Sequence, residues 1–259
     1  MNAAKVLIGA HVLSMLGFAT YAALLPDLRD LWRLSNAEAG FIGSAFFIGY
    51  TATVSYWTAL TDRVDGRRVY VVGSLLAFAG AAGFGAAAHG LASAALFQAL
   101  LGAGVAATYM PGLRLLSDRV AGPLQSRYIS FYTSFFGIGT ALSLALAGLL
   151  AETHGWRAAF VVSALGPLLA GITVRLFVEK IREEKKPGPS FAFATLFPVA
   201  AWRRVLGDRA AAGYMLGYCV HCIELFGSRG WMVAFPPTRR GCRPQATPSR
   251  GTSPRSPRR

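Results

Sequence analysis

VYVVGSLLAFAGAAGFGAAAHGLASAALFQALLGAGVAATYMPGL, residues 69–113, runs for 45 positions without one Asp, Glu, Lys or Arg. A helix crosses the hydrocarbon core of a bilayer in about 20 apolar residues, so this stretch holds two crossings with His89-Gly90 at the turn between them. Backbone polar groups find no water in hydrocarbon, and the crossings must therefore be helical. Moved outward along the chain, the same window marks spans at residues 6–25, 40–60, 69–88, 91–113, 128–151, 158–178 and 210–235. The first is too long for the apolar region of a secretory signal and is followed closely by more spans, so it is expected to stay in the mature protein.

Composition agrees with the spans. Of 259 residues 54% are hydrophobic and only 15% charged, and mean hydropathy is +0.43. Those values exclude a soluble enzyme, a disulfide-stapled secreted domain and a disordered chain as readings of the whole. The fold class expected is all-α, a polytopic helical membrane protein with a six-helix bundle and one further span. Its parts are a bundle over residues 1–178, a linker over 179–209, a seventh span over 210–235 and a tail over 236–259.

Charge sets an orientation. Fifteen Lys and Arg fall on the N-terminal side of the bundle, in the termini and loops around Lys5, Arg63, Arg67, Arg68, Arg114, Arg119, Arg127 and 175–209; the opposite loops hold Arg29, Arg33 and Arg157. Cationic loops resist translocation, which places the N-terminus in the cytoplasm. In the long linker, residues 191–206 mix apolar side chains with Arg203 and Arg204 and are expected to form an interfacial helix. Ser35 followed three residues later by Glu38 is a capping box at the entrance of the second span.

The net charge of +14 suggests a nucleic-acid binder until it is located: residues 236–259 hold seven Arg and no acid, and the rest of the chain carries +7. That tail, with six Pro and no Val, Ile, Leu, Met or Phe, can neither span a bilayer nor bury a core. A frameshifted or truncated reading is the expectation, and a basic tail for anionic lipid or nucleic acid the rival; the partners expected are the lipid bilayer and a small-molecule solute, with a coupling ion as a further candidate, and not nucleic acid. Cys219, Cys222 and Cys242 are too few for a disulfide framework and lack a second ligand pair for zinc. No phosphate-binding Gly-rich loop with Lys and Ser/Thr occurs, so neither a cofactor nor a nucleotide is expected.

The loop Asp62-Arg63-Val64-Asp65-Gly66-Arg67-Arg68 resembles the Asp-Arg-x-Gly-Arg-Arg signature of the major facilitator superfamily, with Asp65 as an extra residue. Leu25-Pro26-Asp27 is similar to that family's first outer loop, and Met110-Pro111, Asp118 and Arg127 to its connection between spans four and five. In span four Gln98 stands where the family's proton-coupled members carry Arg, and in span five Gly139, Ser143, Leu144, Ala147 and Gly148 only partly follow its antiporter pattern. The resemblance implies a two-bundle carrier working by alternating access, and a conformational role for Asp62, Arg63, Gly66, Arg67, Arg68, Asp118 and Arg127. It further implies that Asp62 meets the start of a helix from a second bundle.

Other residues are candidates on their own chemistry. Glu224 is the acid deepest in a span, with His221 one turn before it and Arg229 toward the far end. An ionisable group in hydrocarbon is costly unless paired or facing water, so these three either line a transport cavity or hold the span in register. His11, Tyr50 and Gln98 are further cavity candidates, each equally a hydrogen-bonded core residue. Small residues at helical spacing, Ala95, Ala99, Ala103, Ala107 and Gly139, Ser143, Ala147, read as helix-packing surfaces. The function expected is secondary transport of a small organic solute, not enzymatic catalysis, by a chain that lacks part of the carrier and resides in a bacterial inner membrane. The competing reading is a non-transporting membrane anchor for interactions.

Overall fold

The structure, a computed structural model, describes residues 3–180 and 199–234. The expected tail at 236–259 and most of the linker lie outside the described residues. Among the described residues eight helices follow in order: α1 Ala3–Ser14, α2 Thr20–Leu31, α3 Asn36–Leu60, α4 Gly66–Ala87, α5 Leu91–Ser117, α6 Pro123–Phe177, α7 Val199–Gly207 and α8 Arg209–Trp231. By length and hydropathy α4, α5 and α6 each qualify as membrane-crossing helices, and their lipid-side positions carry exposed Leu75, Leu96, Leu142, Leu165 and Leu176.

As one rod, the 55 residues of α6 would reach about 80 Å. The rod is broken at Gly155, where φ 84° and ψ 165° lie in a region that glycine enters without steric cost. Spans five and six are the two halves. The first span is also interrupted: the sequence reads as continuous over 6–25, yet α1 ends at Ser14 and α2 begins at Thr20. Three-residue backbone bonds close the gap on one side, Met15 to Val12, Leu16 to Leu13 and Phe18 to Met15. The rest is supplied from span five. Ser143 Oγ accepts from the Ala19 N–H at 3.0 Å and donates to the Leu16 carbonyl at 2.5 Å, so the backbone opens without leaving these two groups bare.

Pro26 does not end α2, which continues to Leu31 and turns through Arg33 at φ 52°. The loop after it is short, and Ser35 caps α3: its Oγ accepts from the Glu38 N–H while Glu38 accepts from the Ser35 N–H at 2.8 Å. These hydrogen bonds hold the Glu38 carboxyl below its usual range.

The helices pack through bare backbone. A Cβ on Gly102 would collide with the Phe46 carbonyl oxygen, and one on Gly49 with that of Ala99, so α3 and α5 touch at a distance only glycine permits. Three buried clusters result. Leu7, Tyr70, Leu116, Tyr132 and Val174 pack at the arginine-rich end. Met15, Phe46, Ala77 and Leu101 lie between, and Leu24, Leu28, Ile42, Phe84 and Phe160 fill the opposite end.

Candidate solute cavity and the arginine-rich face

A cavity of about 470 Å³ lies between the bundle and α8. Phe18 at the end of the first-span break, Phe46 and Phe47 of α3, and Phe226 of α8 form its aromatic wall. Their rings meet edge-on or tilted: Phe18 on Phe46 at 5.1 Å, Phe47 on Phe226 at 5.0 Å, and Phe18 on Phe226 at 6.4 Å. Thr140, Ser44 and Cys222 add small polar groups, and Trp231 with Gly40 closes the end away from the arginine-rich face.

Two polar side chains stand out in this wall. Gln98 is 2% exposed, and no group among the described residues hydrogen-bonds its side-chain amide. Gln98 lines the cavity and is not among the fully buried side-chain groups left without a partner, so its amide is a natural contact for a polar group that enters there. Arg229, one turn from Phe226, brings a guanidinium that forms no ion pair among the described residues. The cavity is therefore mostly hydrophobic and aromatic, with one amide and one cation.

The other sequence candidates sit elsewhere. His11 is fully buried in the first span, stacked on Tyr132 at 4.1 Å and flanked by Tyr109 and Phe136, with neither ring nitrogen hydrogen-bonded among the described residues. Tyr50 is half-buried against the Met15 cluster. His221 and Glu224 are exposed on α8 and contribute nothing to the cavity wall. The four phenylalanines were not singled out by sequence, because an aromatic residue in a membrane helix gives no sign of which side it faces.

At the arginine-rich end the loop before α4 is knitted to the ends of spans four and six. Arg114 of α5 donates to Asp62 and to Thr61 Oγ1, and its Nε lies 3.9 Å from Asp118. Asp62 thus has a partner inside its own bundle. Asp65, the residue the family signature lacks, is the N-cap of α4: it accepts from the Arg67 N–H at 3.0 Å and from the Arg67 guanidinium at 3.1 Å and 3.2 Å. Partial burial alone would push the Asp65 carboxyl up, but the bonds from Arg67, with the charges of Arg67 and Lys180, hold it below the usual carboxylate range.

Arg67 also donates to the Val178 carbonyl at 2.6 Å, and Arg119 to the Glu179 carbonyl at 2.6 Å. Two cations thus cap the open carbonyls at the end of span six, where the helix dipole favours them. Gly66 opens α4 against Leu115, and Arg127 lies 5.6 Å over the Phe131 ring. Arg63 is half-buried, and Arg68 is exposed.

Known proteins share this sequence pattern. The chain is 26% identical over 160 residues to the niacin transporter NiaP of Acinetobacter baylyi, a match covering 62% of this chain and 36% of that protein. It is 29% identical over 217 residues to the uncharacterized transporter YgaY of Escherichia coli O157:H7, covering 83% and 53%. With the multidrug resistance protein Stp of Mycobacterium tuberculosis it shares 26% over 178 residues, covering 68% and 33%. The chain spans between about a third and about half of the length of these curated relatives. The Major Facilitator Superfamily model matches residues 7–244, nearly the whole sequence, and with the helical bundle and its packed arginine loop this makes the chain a member of that family.

Proposed function

We propose that this chain supplies the first bundle and the seventh span of a secondary carrier that moves a small, planar organic acid by alternating access. The N-terminus faces the cytoplasm, and a bacterial inner membrane is the setting. The observation that carries the reading is the cavity itself. Aromatic faces suit a flat ring, the Gln98 amide offers both a donor and an acceptor, and Arg229 supplies the countercharge for a carboxylate. A relative named as a niacin transporter supports the same chemistry, since niacin is an aromatic carboxylic acid. Movement would turn on the first span, whose break is next to Phe18 in the cavity wall, and on the arginine-rich loop that ties spans three, four and six.

Binding tests this without requiring transport. The 259-residue chain in detergent micelles is titrated calorimetrically with nicotinate and with uncharged nicotinamide. A hydrogen bond to a charged group contributes about 1.5–3 kcal/mol, so Arg229→Gln is expected to weaken nicotinate binding by about tenfold to a hundredfold while sparing nicotinamide. Gln98→Ala weakens both. If nicotinate affinity is unchanged in both variants, the cavity is not the acid-binding site.

A further inference from the structure

A second hollow of about 270 Å³ lies on the lipid-exposed wall between α4 and the second half of α6. Val71, Leu75, Leu168, Ile172 and Leu176 make it apolar along its length. Its floor is unusual: Ser74 is 1% exposed and its hydroxyl has no hydrogen-bond partner among the described residues, with Gly171 directly across from it. At the arginine-rich end Arg175 lines the groove, and Arg68 stands one helical turn before Val71. Neither arginine forms a hydrogen bond or ion pair among the described residues, although Asp65 and Glu179 are near in sequence. Asp65 is engaged by Arg67, as described above.

We infer that this groove binds one anionic phospholipid, with Arg68 and Arg175 on its phosphodiester, Ser74 on an acyl ester carbonyl, and an acyl chain along the apolar wall. Two unpaired cations at one end of an apolar groove complement an anionic headgroup joined to a hydrocarbon chain. The depth also fits. Six residues separate Arg68 from Ser74 along α4, about 9 Å of helix, and arginine side chains reach outward from their backbone toward the headgroup plane. A glycerophospholipid places its esters below its phosphate in the same sense. An ester carbonyl would give the Ser74 hydroxyl the acceptor that the described residues do not. The inference rests on the membrane placement of the bundle and is independent of what the central cavity carries.

The purified full chain, in detergent, is examined by native mass spectrometry with equal amounts of dioleoyl-phosphatidylglycerol and dioleoyl-phosphatidylcholine. One phosphatidylglycerol is expected to be retained in preference. A juxtamembrane cation adds about 1 kcal/mol of attraction to anionic lipid, so Arg68→Gln with Arg175→Gln should lower phosphatidylglycerol affinity by about thirtyfold. Arg203→Gln, an exposed cation of α7 that does not line the groove, controls for the general basicity of the chain and should change little. Ile172→Trp, filling the groove from its exposed side, should block retention with both arginines intact. Equal retention of the two lipids overturns the inference. So does a loss in the Arg203 variant as large as in the double variant, full retention in Ile172→Trp, or displacement of the lipid by inorganic phosphate alone, which would mark a bare anion site.

Discussion

Replacing Ser143 with Ala removes one oxygen atom and, by the geometry, two hydrogen bonds that hold the interrupted first span together. Ser143 is fully buried, and its Oγ serves residues 124 and 127 positions away, the Ala19 N–H and the Leu16 carbonyl. The carbonyl keeps a weak alternative in Thr20 Oγ1 at 3.4 Å; the Ala19 N–H has none among the described residues. A buried donor left unsatisfied costs about 1–3 kcal/mol, whereas interhelical hydrogen bonds in membranes average about 0.6 kcal/mol because the reference state also finds partners. Ser143→Ala should fall in the upper range, about 1–2 kcal/mol, since the orphaned group is backbone and lies in the break itself.

Ser163→Ala is the matched control. Ser163 is equally buried, but its hydroxyl has no partner among the described residues, so its removal should be neutral or stabilising. Hydrogen exchange in nanodiscs measures the effect at the Ala19 amide, where 1.4 kcal/mol corresponds to about tenfold faster exchange. Unfolding in mixed micelles gives the global cost. Unchanged protection at Ala19 in the Ser143 variant would mean that the amide simply turns to the Met15 carbonyl and restores a continuous helix, and the bridging role would be refuted.

Four further outcomes follow from the same geometry. Gly102→Val drives a side chain into the Phe46 carbonyl and should cost about 1–3 kcal/mol or more, while Gly148→Val, with open space around it, should be tolerated; both are read as unfolding midpoints. Asp65 has a folded pKa below its unfolded value of about 3.9, so its contribution is present above that pH and fades as pH falls through the folded pKa; acid unfolding of Asp65→Asn should lack this component. Ser35→Ala removes one half of the capping box and should destabilise the start of α3 by about 1 kcal/mol, measured as faster amide exchange at Glu38. Reporter fusions after Ala39 and after Arg68 should read outside and inside; the reverse pattern would overturn the proposed orientation.

Membrane crossing, the capped start of α3 and the uneven spread of arginines were legible in the sequence because each depends on residues close together in the chain. An uncharged run of bilayer length must be helical, Ser35 and Glu38 are a local pair, and the crowding of arginines on alternate loops needs no contact map. Gly155 was the limit of that kind of reading: it lies in the short gap between two spans, and its φ of 84° is what separates the halves of α6.

What the tertiary structure decided was which side each residue faces and what it meets there. The sequence pattern of Gly139, Ser143 and Ala147 marks a packing surface, and Gly139 does lie against Met15; yet Ser143 in the same row is a hydrogen-bonding bridge, since the break it spans lies in another helix. Asp62 found Arg114 of α5, and Asp65 and Arg67 at the start of α4 together reached the end of span six, through contacts between residues far apart in the chain. Gln98 and Arg229 came into one cavity with four phenylalanines, whereas His221 and Glu224, on the same helix as Arg229, were turned outward. The span is apolar on most of its faces, so hydrophobic periodicity is nearly flat and cannot orient a helix in lipid; only packing against the other helices fixes its rotation.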